Sequence, residues 1–315
     1  MQKAILGNLS LLGISYQGQE RDREYKKRFS KQGEMTRVMR VALRYDVRLF
    51  AASSHDFNEL SPIYLNAVKE LEREGADVSL IACMGIPIAF RGDTLNVYRR
   101  WKTHLAYESK EYGSVREQYF EDPILNCRPG WTGNLTIARP YEIRELEREL
   151  TIDWKQWEDN VAKVSDHQIA WIEPGSEADF LAISRMDLLE ELLDVTHEQG
   201  YRALLGSHHL GATAPLLRER RVKRFDGYVT PVNKDGVMMF PSQQKVEGVL
   251  KELGDDPKVV VGSKPFAGGR LNPRDALNYV YNETRVDSCM MGVGSEEEAE
   301  EDFSVALAIL RQDST

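Results

Sequence analysis

Residues that can move protons stand at the ends of short apolar segments in this 315-residue chain. His55 and Asp56 follow one such segment, Glu173 ends a second, His208 follows a third and Lys264 ends a fourth. A carboxylate together with two imidazoles can act as general acid and general base, or can bind a divalent metal that keeps one coordination position open. His55 and Asp56 can instead be plain loop residues, with Asp56 capping the next helix. Either chemistry requires the fold to bring together residues that are distant in sequence.

Glu173 carries the strongest signal of this set, because a carboxylate at the end of a buried strand is unfavourable unless it is paired. Lys264 can supply that partner in a structural ion pair, or it can bind a phosphate or a substrate carboxylate. Of two adjacent histidines, we expect His208 to face inward and His209 to face solvent or to begin the next helix. Cys83 lies within another apolar segment and is expected to be a small buried residue.

Eight short apolar segments alternate with stretches of helical periodicity and predict a repeated βα unit. The predicted strands are 11–15, 47–53, 78–84, 168–173, 202–207, 227–233, 258–264 and 288–295. Apart from one gap they begin about thirty residues apart, which is the length of a βα unit. Eight such units close a barrel, and mostly apolar strands suit a parallel sheet that is buried on both faces. The sequence therefore predicts a single α/β domain over 1–315, a (β/α)8 TIM barrel.

Helix starts are marked near the end of the chain. Asn272 precedes Pro273, a capping residue before a proline at the first helical position. Ser295 stands three residues before Glu298, the pattern of a capping box that opens the last helix.

The one gap separates the third and fourth predicted strands. The stretch 89–165 holds four of the five tryptophans, and its part from Glu145 to Lys163 predicts a helix. An insertion after a barrel strand lies on the catalytic face, because the βα loops all emerge there. It is expected to act as a lid or substrate-binding subdomain, or to use its aromatic residues for a small core of its own.

Composition limits the classes of function. A net charge of −9 and the lack of a basic stripe argue against nucleic-acid binding. The longest apolar runs are strand-sized, so no membrane association is expected. Without a signal-peptide pattern at the N-terminus, we expect a cytoplasmic protein. Three irregularly spaced cysteines predict neither a disulfide framework nor a metal knuckle.

Four segments in the second half form a recognisable series. They are Gly-Ser-His-His at 206–209, Pro-Val-Asn at 231–233, Lys-Pro-Phe-Ala-Gly-Gly-Arg-Leu at 264–271, and Gly-Val-Gly-Ser at 292–295 running into an acidic helix start. In this order and spacing they resemble the aldo/keto reductase superfamily, particularly its bacterial and archaeal branches. Residues 4–10 are similar to the short hairpin that closes the barrel bottom in that family. The resemblance covers most of the chain outside the insertion.

The resemblance implies a nicotinamide cofactor, NADP or NAD, with its phosphates near the last two strands. By position in the family pattern, the contacts fall to Ser207, Asn233, Lys264, Arg270, Gly294, Ser295 and Asp302. The backbone amides after Ser295 suit phosphate, because a helix N-terminus presents unpaired N–H groups. The family often has an asparagine where Asp302 stands, and Glu296 to Glu298 add negative charge at the same place.

The catalytic residues of the family are not matched in the same way. Its members use an aspartate and a tyrosine after the second strand, a lysine on the third and a histidine on the fourth. In this chain Ala51 falls at the aspartate position, no tyrosine follows nearby, the third strand carries no lysine, and Glu173 stands about where the histidine is expected. Hydride transfer to a carbonyl therefore requires a different proton donor.

Three functions remain open from the sequence. The first is an NAD(P)-linked oxidoreductase with a non-standard proton donor. The second is a barrel enzyme outside redox chemistry, such as a lyase, an isomerase or a metal-assisted hydrolase, that uses His55, Glu173 and His208. The third is a non-catalytic ligand-binding protein. The expected partner is a small-molecule substrate, and a homo-oligomer joined through the insertion is left open.

Overall fold

A computed structural model describes residues 1–254 and 256–312. Within them the strands are β1 (Ala4–Gly7), β2 (Leu49–Ser53), β3 (Ser79–Met84), β4 (Ile88–Phe90), β5 (Asp93–Thr94), β6 (Leu150–Ile152), β7 (Ile169–Pro174), β8 (Leu204–Gly206), β9 (Gly227–Pro231), β10 (Val259–Ser263) and β11 (Ser288–Gly292). The helices are α1 (Gln19–Phe29), α2 (Gln32–Arg44), α3 (Ser61–Arg73), α4 (Val97–Tyr112), α5 (Arg116–Glu121), α6 (Trp131–Ile137), α7 (Ile143–Glu149), α8 (Trp154–Ala162), α9 (Glu177–Ser184), α10 (Met186–Glu198), α11 (Leu210–Arg220), α12 (Gln243–Leu253), α13 (Pro273–Asn278) and α14 (Glu296–Gln312). None of the described helices is long and apolar enough to cross a membrane.

Eight of the described strands pair in parallel, in the order β7, β3, β2, β1, β11, β10, β9, β8. The two outer strands also meet, because Ile172 N donates to Arg202 O at 2.8 Å and Ile172 pairs with Ala203. The sheet thus closes on itself, and the predicted α/β fold, a (β/α)8 barrel, is confirmed. Alternate residues of its strands form a separate apolar cluster inside the barrel, made of Ile5, Leu49, Ile81, Leu204, Val229 and Val261.

The prediction of the first strand was wrong. β1 pairs residue for residue with β11, from Ala4 with Cys289 to Gly7 with Gly292, so residues 4–7 form a barrel strand and the predicted N-terminal hairpin is absent. Residues 11–15 form turns, in which Leu12 N donates to Asn8 O at 2.9 Å. Leu12 is fully buried, which explains the error, because an apolar segment reports burial and does not by itself report strand pairing.

The predicted helix starts at the chain's end are confirmed. Asn272 Oδ1 accepts a hydrogen bond from Arg274 N at 3.0 Å, and Ser295 Oγ accepts one from Glu298 N at 3.1 Å. The predicted helix from Glu145 to Lys163 is interrupted. Between α7 and α8, β6 pairs antiparallel with β4, because Leu150 and Ile152 are buried on one face of this small sheet while Thr151 is exposed.

The stretch between β3 and β7 packs on loops at the C-terminal ends of the barrel strands. Its aromatic residues Trp101, Tyr119 and Trp131 share one buried cluster with Phe240, which follows β9, and Ala267, which follows β10. The aromatic residues therefore build the core expected of them, and that core also includes residues from the rim of the barrel. Residues 89–165 are called the insertion below.

Candidate active site

Three polar side chains lie side by side at the C-terminal ends of neighbouring strands. Ser53 on β2, Cys83 on β3 and Glu173 on β7 are partners in the sheet register. Two residues before Cys83, Ile81 belongs to the cluster inside the barrel. Because side chains alternate along a strand, Cys83 and Glu173 point into the top of the barrel. This layer is called the barrel mouth below.

Glu173 carries the carboxyl group of the barrel mouth, and its pKa is shifted. Burial raises the pKa of its carboxyl to about 7, and the hydrogen bond from Cys83 and the charge of Lys264 oppose this shift only in part. Cys83 Sγ donates to Glu173 Oε2 at 2.7 Å. Burial also raises the pKa of the Cys83 thiol well above its ordinary value, with the Glu173 charge acting in the same direction. The thiol is therefore protonated, while the carboxyl can gain or lose a proton near neutral pH.

Gly206 sets the position of this carboxyl. A Cβ atom at Gly206 would lie 2.7 Å from Glu173 Oε1, so a side chain on β8 at this point would displace the carboxyl. Glycine at the last position of β8 thus leaves room for the Glu173 carboxyl.

Lys264 follows β10 in a left-handed backbone conformation, with φ at 54°. Its Nζ lies 5.2 Å from the centroid of the Tyr16 ring and makes no hydrogen bond or ion pair with another described residue. The structural ion pair with Glu173 considered from the sequence is not formed, although the Lys264 charge lowers the pKa of Glu173. A partly buried ammonium without a counter-ion is suited to binding an anion.

His208 follows β8 and is acted on by the charge of this ammonium. Burial lowers the pKa of its imidazole well below the ordinary value, and the charges of Lys264, His209, Arg128 and Arg100 act in the same direction. The ring is therefore neutral at neutral pH. Its Nδ1 is buried without a hydrogen-bond partner among the described residues.

The expectation that His209 faces solvent was wrong, although it does stand directly before α11. Its side chain is 3% exposed and donates from Nδ1 to Glu108 Oε1 at 2.9 Å. Glu108, on α4 of the insertion, also accepts a hydrogen bond from Tyr119. His104 stacks on His209, with ring centroids 3.9 Å apart.

The structure does not bring His55 and Asp56 to Glu173. Both side chains are exposed, His55 Nδ1 lies 3.0 Å from Asp56 Oδ1, and Asp56 forms an ion pair with Lys163 of the insertion. Within the described residues, no group of three or more His, Cys, Asp and Glu side chains is arranged to hold a metal ion. The donor set expected for a metal-assisted reaction is therefore not assembled.

The sequence did not reveal several residues at the mouth. Asn8 Nδ2 donates to Ser53 Oγ at 2.9 Å, and both residues follow or end a strand, so a correct assignment of β1 would have found them. Asp179 accepts hydrogen bonds from Ser207 Oγ at 2.7 Å and from His208 N at 2.8 Å, which fixes the loop after β8. Arg100, which pairs with Glu177, has no sequence signal because the insertion brings it from a distant helix.

The positions implied for a nicotinamide cofactor are held by contacts within the protein. Ser207 is bonded to Asp179. Asn233 bonds through both side-chain atoms to the backbone of Val237, and Arg270 donates to the carbonyl oxygens of Tyr16 and Ala267.

The backbone groups of the turn after β11 are likewise occupied by contacts within the protein. Gly294 N donates to Glu298 Oε2 at 2.6 Å, and the Gly294 carbonyl accepts a hydrogen bond from Arg28 of α1. A Cβ atom at Gly294 would lie 2.2 Å from the hydroxyl oxygen of Tyr25, which shows how closely α1 covers the turn. A glutamate therefore occupies the amide that a phosphate needs, and the residues of this turn do not fit a dinucleotide phosphate as they are arranged.

The chain is therefore a (β/α)8-barrel protein with a buried carboxyl, that of Glu173, at the C-terminal ends of its strands. No protein-family model matches the chain, and no curated protein matches it. Two solved structures from Pseudomonas aeruginosa, both described as putative aldo-keto reductases, match in fold. The first is 11% identical with a TM-score of 0.55 over 98% of this chain and 91% of that chain. The second is 12% identical with a TM-score of 0.52 over 98% and 90%. The chain therefore has the barrel fold of the aldo-keto reductases, and the resemblance seen in the sequence is confirmed at the level of the fold.

Proposed function

We propose that this protein is an enzyme that transfers a proton at a small anionic substrate, with Glu173 as the acid–base group. The observation that carries the proposal is the Glu173 carboxyl at the barrel mouth, whose pKa of about 7 lets it exist in both protonation states at neutral pH. Catalytic carboxyls are tuned in this way by burial.

The roles of the residues follow from their chemistry. A C–H bond next to a carbonyl group breaks as its proton passes to the Glu173 carboxylate, and the electron pair moves onto the carbonyl oxygen. The Lys264 ammonium offsets the negative charge that develops there. Return of the proton to a neighbouring carbon completes an isomerisation, and departure of a leaving group completes an elimination. Cys83 keeps the carboxylate oriented through its hydrogen bond.

Hydrogen exchange in D2O tests the proposal before the substrate is known. The protein is incubated with a panel of small 2-oxo and 2-hydroxy carboxylates, and loss of C–H signals is followed by proton NMR. We expect exchange in at least one compound, slowed by about 100-fold or more in Glu173→Gln and unchanged in Glu198→Gln, which alters an exposed glutamate of α10. No exchange above the enzyme-free rate, or exchange that survives Glu173→Gln, would overturn the proposal.

A second candidate is an NAD(P)-linked oxidoreductase in which Glu173 supplies the proton. The likeness in fold to the aldo-keto reductases of Pseudomonas aeruginosa favours it. It requires the contacts of Gly294 with Glu298 and Arg28 to open. Quenching of tryptophan fluorescence by NADPH at about micromolar concentration, roughly 8 kcal/mol of binding free energy, would support it. No binding up to millimolar NADPH would exclude it.

A further inference from the structure

We propose that Trp101 of the insertion and His208 of the barrel form a subsite for an oxyanion group of the substrate, a carboxylate or a phosphate. This inference rests on the proposed function, because it names the part of the substrate that is held while Glu173 moves the proton. The subsite lies where the insertion meets the barrel mouth, so neither part of the chain forms it alone.

The first observation is a pair of unsatisfied nitrogen atoms. Trp101 is 2% exposed and its Nε1 has no hydrogen-bond partner among the described residues; the same is true of His208 Nδ1. Their rings stack at 24° with centroids 6.1 Å apart, so the two unpaired nitrogens belong to adjoining side chains. An indole N–H can only donate, and a neutral imidazole can donate from Nδ1. Buried donors are normally paired, so we expect an acceptor to bind at Trp101 Nε1 and His208 Nδ1.

The second observation is the charge around this pair. Lys264, Arg128 and Arg100 all act on the His208 imidazole through their positive charge. Arg100 is neutralised by its ion pair with Glu177. The side chains of Lys264 and Arg128 make no hydrogen bond or ion pair with other described residues; Lys264 lies over the Tyr16 ring and Arg128 over the Trp131 ring. An acceptor that carries negative charge therefore fits better than a neutral one.

Two other tryptophans show that a buried indole N–H without a partner does not by itself indicate an anion-binding subsite. Trp157 Nε1 and Trp171 Nε1 are also buried without a partner. Trp157 packs in the main hydrophobic core and Trp171 against the apolar cluster inside the barrel. Among the described residues, neither stacks on an unpaired imidazole, and Lys264 and Arg128 lie over other rings. Trp157 therefore serves as the internal control for Trp101.

The subsite predicts which end of the substrate is recognised. The oxyanion binds between Trp101, His208 and Lys264, while the carbon that loses its proton faces Glu173. The Lys264 charge acts on both His208 and Glu173, so a small molecule held at Lys264 would lie within the field of both groups.

NMR of the indole N–H groups in the 15N-labelled protein tests the subsite without a known substrate. Sodium acetate and inorganic phosphate are titrated separately at constant ionic strength, and the Trp101 resonance is assigned by its loss in Trp101→Phe. We expect saturable movement of the Trp101 resonance with one or both probes and no movement of Trp157. We expect at least tenfold weaker binding in Lys264→Met, and the two arms tell whether carboxylate or phosphate is preferred.

Movement that does not saturate, or equal movement of Trp157, would overturn the subsite. Glu173→Gln separates this result from the proposed function. If the subsite is right, Glu173→Gln binds the probe as the wild type does. Saturable probe binding together with absent hydrogen exchange would refute the proposed function alone, and exchange without probe binding would refute the subsite alone.

Discussion

Glu108 Oε1 lies 2.9 Å from His209 Nδ1, and this contact joins the insertion to the loop that carries His208. Glu108 is fully buried on α4, and its second carboxylate oxygen accepts a hydrogen bond from the hydroxyl of Tyr119. The backbone of His209 is bonded in turn to Asp179, so the contact runs from α4 through the β8 loop to α9. A charged group in such a position is stable only while all of its partners are present.

Loss of the Glu108 carboxylate is therefore expected to destabilise the whole chain. Glu108→Ala leaves His209 and Tyr119 buried without their acceptor, and we expect the free energy of unfolding in urea to fall by about 3 kcal/mol or more. The control is Glu111→Ala on the same helix, whose exposed carboxylate lies 3.8 Å from Lys110 and should change stability by about 0.5 kcal/mol or less. Equal losses of unfolding free energy in the two variants would show that the contact between Glu108 and His209 stabilises the fold no more than an exposed charge does.

The hydrogen bond from Cys83 should be visible in the titration of Glu173. The thiol stabilises the charged carboxylate, so Cys83→Ala is expected to raise the pKa of Glu173 above its value of about 7. Any pH-dependent rate that needs the carboxylate then shifts to higher pH. Carbon-13 NMR of the labelled glutamate carboxyl measures the pKa directly. Cys289→Ala, which removes a buried cysteine from β11 away from the mouth, should leave it unchanged; a downward shift in Cys83→Ala would contradict the assigned direction of the hydrogen bond.

The buried carboxyl of Asp302 should make the protein less stable at alkaline pH. Burial raises its pKa to about 8, with Glu298 and Glu301 adding repulsion. A raised pKa in the folded state means that stability is greatest below the ordinary pKa of an aspartate and is lost as pH rises through about 8. Relative to the wild type, Asp302→Asn should therefore gain stability between pH 5 and pH 9, on the order of 3 kcal/mol.

Urea unfolding at a series of pH values measures this difference. Asp275→Asn, which changes an exposed aspartate of α13, is the control and should follow the wild-type profile. If the difference in unfolding free energy between Asp302→Asn and the wild type does not depend on pH, Asp302 is ionised over the whole pH range measured.

The sequence predicted the positions of the candidate residues that depend on strand order, and it missed those that depend on the insertion. Glu173 and Lys264 were found because a barrel brings all strand ends to one face, whatever the details of packing. His209 is buried against Glu108, which lies about a hundred residues away in sequence, so its environment could not be predicted locally. No local pattern at Glu108 or Trp101 distinguishes them from ordinary helix residues, since their partners come from other elements.

The last prediction concerns Gly294, in the turn after β11 that α1 covers. Gly294→Ala introduces a methyl group where Tyr25 of α1 already lies, and overpacking of this kind costs about 1–3 kcal/mol in the free energy of unfolding. The matched control is Gly248→Ala in α12, where a Cβ has nothing within 4 Å and a helical alanine should stabilise by about 0.5–1 kcal/mol. Thermal or urea unfolding of the two variants measures the contrast. If Gly294→Ala is neutral, α1 does not cover this turn in solution, and the turn is open to the phosphate that the second candidate function requires.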